Sequence, residues 1–491
     1  MAGRHARATR GRSVWVAAAL VAVLYLGGFA LMPVSSAAFT ATTTGPASSF
    51  AARSTFGFTQ TAPCFSSSGS GGCPAATGIV GGASVVVSPD GKHVYSGSVA
   101  GTTSSVAAFS RNATTGALTQ LASPDRCYSN AYLAGCTTVQ DLLLSVYDLA
   151  ISPDGKHVYA VSFGKSTLVA FSRNATTGVL TKLSGTNGCR SDESVTPVPT
   201  GCISARGMTA ADGVVVSPDG AYVYVAGHNS HSIAVFARNS TTGVLTQLSG
   251  TSGCYADSST QATGCTETAS GMRKPYYVRT SPDGRSVYVA GNGSNAVAIF
   301  QRNMTTGALS QPAGPNKCVH TNGNGTTGCT AVKGLSGAYH LGVSPDGAHV
   351  YALGNTGGTV ASFTRNTTTG VLTQLGTNGC LAAATTSGCT TVRAIVAPTG
   401  IDFSRDGLFA FVSASGSNAV AVFRRDSSIG VLTQPTDTSG CIALPPATGG
   451  CTTGDGLSLP GGIATSPDGR DVYVAGGDGA AGNVTVLNLT H

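Results

Sequence analysis

The 491-residue sequence contains a single tryptophan and few charged residues. Charged side chains make up 10% of the chain and hydrophobic ones 41%, which excludes an acidic or basic disordered protein. The formal net charge is +7, but four arginines within the first twelve residues leave +3 for the remainder. No dense basic run follows, so the sequence argues against a nucleic-acid partner.

Only one long apolar run is present, and it lies at the N-terminus. Residues 1–12 are basic, residues 14–32 are almost wholly apolar, and small residues occupy 35–38. This order is typical of a secretory signal, so we predict a signal peptide over 1–38, a linker over 39–54 and a secreted or cell-surface product. An uncleaved membrane anchor is the alternative, because the run is nearly long enough to span a bilayer.

A tetrapeptide recurs through the rest of the chain. Ser-Pro-Asp-Gly or its variant Ser-Arg-Asp-Gly begins, at intervals of 60–65 residues, at Ser88, Ser152, Ser217, Ser281, Ser344, Ser404 and Ser466. Short β-branched and aromatic runs flank each motif, which predicts a hairpin. A third run, an Arg-Asn-x-Thr-Thr-Gly turn and a fourth run follow in most repeats. Seven four-stranded antiparallel units predict an all-β, seven-bladed β-propeller over residues 55–491.

The two ends of this region complement each other. The chain stops after the third strand of the seventh unit, at residues 484–487. The segment 57–60 reads as a fourth strand that no earlier strand precedes. We therefore predict that this N-terminal strand completes the last blade and closes the ring.

The 14 cysteines occur two to a repeat, after each fourth strand. An exported chain with an even cysteine count is expected to be oxidised, and each pair sits in its own loop. The sequence has no paired Cys-x-x-Cys spacing, and histidines do not accompany the cysteine pairs. Neither a metal site nor a cofactor is therefore expected. The predicted disulfides are Cys64–Cys73, Cys127–Cys136, Cys189–Cys202, Cys254–Cys265, Cys318–Cys329, Cys380–Cys389 and Cys441–Cys451.

The repeat resembles a known group of propellers. Ser-Pro-Asp-Gly-x-x-Val-Tyr-Val-x-Gly, followed by Ser-Asn-Ala-Val-Ala-x-Phe at 294–300 and 417–423, is similar to lactonase-type (6-phosphogluconolactonase-like) seven-bladed propellers and to surface propellers with YVTN-type repeats. The resemblance covers nearly all of residues 55–491 and implies their fold. It implies less about activity, because the matched residues form turns and strands.

Candidate site residues emerge when the repeated positions are set aside. The first strand of each blade should line the central channel, where most repeats carry small or apolar residues. The chemically active exceptions are four candidate catalytic residues, His340, Arg279, Asp148 and Asp402. Candidate ligand-binding residues are Lys274, Arg273, Tyr276, Tyr277, Tyr339 and Asp212. One reading is a pocket at the channel mouth that attracts an anion and uses His340 or an aspartate as acid or base. The other is that Arg279 and Asp402 pair across a watery channel and do nothing else.

Two functions fit this sequence. The leading hypothesis is a monomeric extracellular or cell-surface scaffold that presents its disulfide-stapled loops to a small molecule, protein or glycan. The alternative is a lactonase-like hydrolase or isomerase that acts on a small anionic lactone. The sequence leaves enzymatic activity uncertain, and it allows membrane contact only through an uncleaved N-terminal anchor.

Overall fold

The computed structural model describes residues 57–490 except 261–263, 322–327, 377, 447–448 and 479. The predicted signal peptide and linker lie outside the described residues. The chain begins with β1 (Gly57–Thr59) and β2 (Phe65–Ser66). Blade 1 contains β3 (Gly82–Val87), β4 (His93–Ser98), β5 (Ser105–Arg111), β6 (Leu118–Gln120), β7 (Cys127–Ser129) and β8 (Thr137–Thr138). Blade 2 contains β9 (Val146–Ile151), β10 (His157–Ser162), β11 (Thr167–Arg173), β12 (Leu180–Lys182), β13 (Cys189–Asp192) and β14 (Ile203–Ala205).

The next five blades follow the same order. Blade 3 contains β15 (Ala211–Val216), β16 (Tyr222–Gly227), β17 (Ser232–Arg238), β18 (Leu245–Gln247), β19 (Cys254–Asp257) and β20 (Thr266–Ala269). Blade 4 contains β21 (Pro275–Thr280), β22 (Ser286–Gly291), β23 (Ala296–Arg302), β24 (Leu309–Ser310), β25 (Cys318–Thr321) and β26 (Thr330–Val332). Blade 5 contains β27 (Ala338–Val343), β28 (His349–Gly354), β29 (Thr359–Arg365), β30 (Leu372–Gln374), β31 (Cys380–Ala382) and β32 (Thr390–Thr391). Blade 6 contains β33 (Pro398–Phe403), β34 (Phe409–Ala414), β35 (Ala419–Arg425), β36 (Leu432–Thr433), β37 (Cys441–Ala443) and β38 (Thr452–Thr453). Blade 7 contains β39 (Pro460–Thr465), β40 (Asp471–Gly476) and β41 (Asn483–Thr490).

Short 3-10 turns join some of these strands. They lie at Gly101–Thr103, Gly185–Gly188, Gly250–Gly253, Asn292–Ser294, Ser415–Ser417 and Thr438–Gly440.

Each blade is a meander of three long antiparallel strands, here called A, B and C, with a divided outer edge. In blade 1 the outer strands β6 and β7 pair with opposite ends of strand C, β5. The last strand, β8, then adds to β7 in parallel. The fold thus confirms the seven-bladed prediction, but the fourth strand is split and part of the expected long loop is a further strand.

The ring closes as predicted. Strand β1 pairs antiparallel with β41, from Gly57 opposite Thr490 to Thr59 opposite Asn488. Strand β2 pairs with the other end of β41. The first two strands therefore supply both halves of the outer edge of blade 7.

A glutamine at the end of the fourth strand shows that the closing strand is equivalent to those of other blades. Gln60 Oε1 accepts from the backbone N–H of Asp455 at 2.7 Å, and Gln60 Nε2 donates to the Asp455 carbonyl at 3.3 Å. In blade 5, Gln374 makes the same two bonds to Lys333. Both glutamines thus tie the outer edge of a blade to the chain that enters its first strand.

Polar joints between neighbouring blades repeat six times. The arginine that ends strand C pairs with the aspartate of the Pro-Asp-Gly turn in the preceding blade. Its Nε also donates to a buried tyrosine hydroxyl of that blade, as Arg238 does to Tyr159 at 3.0 Å. The six ion pairs are Arg173–Asp90, Arg238–Asp154, Arg302–Asp219, Arg365–Asp283, Arg425–Asp346 and Arg111–Asp468.

The joint between blades 6 and 7 is apolar instead. Phe411 stands where other blades carry the buried tyrosine, and Leu489 stands where they carry the arginine. Both residues belong to one hydrophobic cluster with Leu487 and Val420. The two substitutions compensate each other, because a tyrosine hydroxyl without its arginine would lose a buried hydrogen-bond partner.

All seven predicted disulfides are present, and no cysteine is free. In blade 1, Cys127 begins β7 and Cys136 directly precedes β8, so the bond holds the added parallel strand against its neighbour. Seven disulfides indicate an oxidising, extracytoplasmic environment. Among the described residues, no helix has the length and apolar character that a bilayer crossing would demand.

Candidate functional site

Irregularities in the A strands aim side chains into the central channel. All seven of these strands skip one or two residues in their pairing with strand B, and in β9 the skipped residue is Tyr147. Such β-bulges re-aim side chains and occur often beside active sites. The residues at the irregularities are Ala83, Tyr147, Asp212, Gly213, Tyr276, Tyr277, Tyr339, His340, Thr399, Gly461 and Gly462. Blades 2–5 therefore carry large or ionisable side chains there, whereas blades 6, 7 and 1 carry small ones.

The small residues at these positions let neighbouring A strands approach closely. A Cβ added to Gly462 would lie 2.7 Å from the Cα of Ser84, and one added to Gly213 would lie 2.5 Å from the carbonyl oxygen of Tyr276. Both distances are shorter than a carbon tolerates. Glycine at these positions is therefore a packing requirement of the inner ring.

A cavity of about 340 Å³ occupies the channel along the last four residues of the A strands and extends to the A–B turn at Pro89. Arg279 lines this cavity. Arg279 Nη2 donates to Nε2 of His340 at 3.0 Å, and Nη1 lies 3.6 Å from Oδ2 of Asp148. The guanidinium also lies 5.0 Å from the ring centroid of Tyr277, within cation–π distance.

The carboxylate of Asp148 is held by the inner ring itself. It accepts hydrogen bonds from the backbone N–H groups of Leu149 and Val214, at 2.9 and 3.0 Å, and from the hydroxyl of Ser84 at 3.2 Å. Burial raises the pKa of Asp148, and Arg279 with these hydrogen bonds opposes that rise. Asp148 is therefore fixed in place, with one oxygen directed at the arginine.

His340 is neutral in this environment. Burial and the adjacent Arg279 both hold the pKa of the imidazole well below its usual value. Because a guanidinium only donates, Nε2 of His340 accepts and Nδ1 carries the proton.

Asp402, on blade 6 next to the blade of His340, lines the same cavity. Its Oδ2 accepts from the backbone N–H of Thr465 at 2.6 Å. Burial raises the pKa of Asp402, although the hydrogen bonds and Arg279 partly offset the rise. Asp402 as a residue is partly exposed, and it lines the cavity in which a ligand or water would bind.

The structure thus brings together all four candidate catalytic residues and Tyr277, but it separates them from the other predicted ligand-binding residues. Arg273 and Lys274 are exposed at the start of β21 and do not line the cavity. Five residues of extended strand separate Lys274 from Arg279, which corresponds to roughly 16 Å. Lys274 and Arg279 therefore do not lie together in one pocket at the channel mouth.

Tyr276, Tyr339 and Asp212 lie toward the end of the channel where the A strands begin. Both carboxylate oxygens of Asp212 are buried without a hydrogen-bond partner among the described residues. Burial, and then the charge of Asp148, raise the pKa of Asp212 well above its usual value.

Aromatic rings from four blades form a continuous series at this end of the channel. We call Tyr147, Phe163, His228, Tyr276 and Tyr339 the aromatic arc. In that order, successive ring centroids lie 5.4, 5.7, 4.6 and 4.7 Å apart. The rings of Tyr147, Phe163, Tyr276 and Tyr339 are partly exposed.

Sequence reasoning missed three members of this arc. Tyr147 could have been identified from the sequence, because it stands five residues before the motif serine, as Asp212, Tyr276 and Tyr339 do. Phe163 and His228 follow the B strands, where no repeated position marks them. Groups of three or more histidine, cysteine or acidic side chains that could hold a metal ion were not found in the described part of the chain.

Comparison with known proteins supports the fold and the resemblance. The family model described as lactonase, seven-bladed β-propeller, matches residues 209–255 and 317–447. No curated protein sequence matches the chain. The structure is similar to the Pseudomonas aeruginosa periplasmic gluconolactonase, with a TM-score of 0.52 and 19% identity over 78% of this chain and 88% of that one.

Two further similar structures have lower scores. One is a Bacteroides fragilis protein provisionally assigned as a 6-phosphogluconolactonase, with a TM-score of 0.47 and 20% identity over 72% of this chain and 82% of that one. The other is the Kuenenia stuttgartiensis hydrazine synthase, with a TM-score of 0.47 and 16% identity over 84% and 96% of the two chains. By its seven closed blades and its two matched segments, the chain is a β-propeller that resembles the lactonase family.

Proposed function

We propose that the protein is a lactonase-like hydrolase whose substrate, a small anionic lactone, binds in the channel cavity. The observation that carries this proposal is the grouping of Arg279, His340, Asp148 and Asp402 around one cavity of about 340 Å³. The family match points in the same direction, and so does the similar structure that is named a gluconolactonase.

Hydrolysis needs a group that stabilises the developing oxyanion and a group that accepts a proton from water. The guanidinium of Arg279 donates to the lactone carbonyl oxygen, which becomes negative as water attacks. Asp402, whose pKa is raised by burial, accepts the proton of that water. The C–O bond of the ring then breaks, its oxygen takes up the proton held by Asp402, and the hydroxy acid leaves with Asp402 ionised again.

His340 and Asp148 act on Arg279 rather than on the substrate. Their contacts at 3.0 and 3.6 Å hold the guanidinium in the cavity from two sides. Because His340 is neutral, it does not repel the cation or neutralise its attraction for an anionic substrate. Such support of a catalytic group is what positioning residues supply.

Turnover of a panel of sugar lactones, followed by acid release, tests the proposal. Arg279→Ala should lower kcat/KM by about 100-fold or more, the effect of losing one oxyanion donor. Asp402→Asn should lower kcat more than it changes KM. Tyr132→Ala is the matched control, because this side chain is 81% exposed outside the cavity.

Two results would overturn the hydrolase. Unchanged turnover in both Arg279→Ala and His340→Ala would dismiss the site, and no turnover of any lactone would dismiss the activity. Absence of turnover together with ligand binding that depends on the loops 189–202 or 254–265 would instead favour the extracellular scaffold.

The proposed setting is extracytoplasmic, with the mature chain secreted or attached to the cell surface as a monomer. The seven disulfides and the order of residues at the N-terminus support this setting. N-terminal sequencing of the exported protein should find cleavage near residue 38, and its elution volume in size-exclusion chromatography should match one chain. A retained N-terminus would favour the anchor instead.

A further inference from the structure

The aromatic arc lies apart from the cavity that holds Arg279, and the proposed hydrolysis does not use it. Four of its five rings keep part of their surface open to solvent. Several blades together build an exposed aromatic surface at one end of the channel. A contiguous surface of this kind indicates a binding site, whereas exposed rings scattered singly over a protein do not. The arc extends over four ring-to-ring contacts of 4.6–5.7 Å, so it is longer than a single sugar ring.

Two cations stand beside the arc. Arg273 and Lys274 are exposed and immediately precede Pro275 and Tyr276 at the start of β21. The backbone N–H of Lys274 donates to Nδ1 of His231 at 2.8 Å, which fixes the chain at this rim. Burial, followed by the charge of Lys274, lowers the pKa of His228 to about 4, so this charge reaches the arc.

One carboxyl group, that of Asp212, lies close to the arc. Asp212 is fully buried, and this burial raises its pKa well above the usual value. The phenol rings of Tyr147, Tyr276 and Tyr339 lie close enough to Asp212 for its charge to influence their pKa values. Burial thus disfavours the charged form of Asp212, whereas Arg273 and Lys274 are exposed to solvent.

We propose that the aromatic arc, with Arg273 and Lys274 at its rim, binds an acidic oligosaccharide. Aromatic side chains offer apolar surface with a polar tip, which suits the C–H faces and hydroxyls of sugar rings. The cations pair with the sugar carboxylates, and this pairing gives the site its selectivity for an acidic over a neutral saccharide. The arc residues do not line the lactone cavity, although the ring of Tyr339 lies 5.7 Å from that of Tyr277 in its wall, and the site does not depend on the proposed hydrolysis.

Calorimetric titration of the disulfide-intact protein tests this site with trigalacturonate and with a neutral galactotriose. Tyr276→Ala and Tyr339→Ala should each weaken trigalacturonate binding by about tenfold, and Tyr276→Phe should retain it because the ring is kept. The double variant Arg273→Gln/Lys274→Gln should lose the preference for the acidic trisaccharide. Tyr132→Ala and Arg279→Ala should bind as the unmodified protein does.

The proposal is wrong if trigalacturonate does not bind, or if Tyr276→Ala with a native circular dichroism spectrum binds it unchanged. Equal affinity for the acidic and neutral trisaccharides would also overturn it. Loss of trigalacturonate binding in Arg279→Ala would place the saccharide in the lactone cavity instead. Loss of lactone turnover in that variant, with trigalacturonate binding unchanged, would support a separate site at the arc.

Discussion

The joint that closes the ring should be the most sensitive of the polar joints to loss of its arginine. Arg111, from blade 1, pairs with two carboxylates of blade 7, Asp468 and Asp471. The side chain of Asp471 is only 3% exposed. At the matched joint between blades 2 and 3, Arg238 pairs with one carboxylate, that of Asp154, whose side chain is 30% exposed.

The structure gives the expected size of this difference. Removing one partner of a buried ion pair costs about 3–5 kcal/mol, because the remaining charge loses its compensation. Arg111→Met should therefore lower the free energy of unfolding by about 3–5 kcal/mol. Arg238→Met leaves a carboxylate that water can solvate, so we expect a loss of about 1.5–3 kcal/mol, as for hydrogen bonds to charged groups. Both variants lose the same contacts to a tyrosine hydroxyl and a glycine carbonyl.

Urea unfolding of the disulfide-intact protein, followed by far-ultraviolet circular dichroism, measures both losses. The double variant Arg111→Met/Asp471→Asn should recover part of the stability, because the buried amide needs no counter-charge. Equal losses in Arg111→Met and Arg238→Met, or no recovery in the double variant, would refute the idea that the closing joint carries an additional buried charge.

Three further predictions concern the scaffold. Replacing Cys64 and Cys73 by serine removes a disulfide between residues nine positions apart, and it should lower the free energy of unfolding in urea by about 2.5–3 kcal/mol. An unchanged urea midpoint would mean that this bond does not constrain the unfolded chain. Gly462→Ala should destabilise the ring because its Cβ would meet the backbone of blade 1, and native stability in that variant would contradict the close approach. Burial raises the pKa of Asp90, but hydrogen bonds from Arg173 and its own turn outweigh burial and lower it to about 2. The stability that this carboxylate contributes is therefore present above pH 4 and lost as the pH falls toward 2, and Arg173→Met should reduce that acid-dependent loss of the urea midpoint.

The repeat made most of the fold predictable. Ser-Pro-Asp-Gly set the blade count, and the short chain segment at 57–60 indicated the closure that β1 and β41 make. The divided outer edge was not predictable, because strands such as Thr137–Thr138 are two residues long and carry no alternating pattern. The Arg–Asp joints were also hidden, since five of them connect residues about 80 positions apart and the sixth connects residues 357 positions apart, and these residues look like ordinary turn residues.

The candidate site was predictable only where it followed the repeat. Counting back four residues from the motif serine found Asp148, Tyr277 and His340, which do line one cavity. The same reasoning grouped Lys274 with Arg279, because proximity in sequence hides the length of an extended strand. Bulges and ring contacts between blades depend on the packed fold, so Phe163 and His228 gave no sign in the sequence.

The repeat and the site occupy different positions of the same strands, and this division explains why chemistry gathers in blades 2–5. The motif serine, aspartate and tyrosine and the strand C arginine hold neighbouring blades together, so substitution there costs the ring its joints. The bulge positions make no such joints, and their side chains only need to fit the channel. Blades 6, 7 and 1 use that freedom for close packing through Gly461 and Gly462, which leaves the opposite wall with room for larger groups. A single strand can therefore place Tyr277 and Arg279 in the cavity and Tyr276 in the arc without changing how its blade is held.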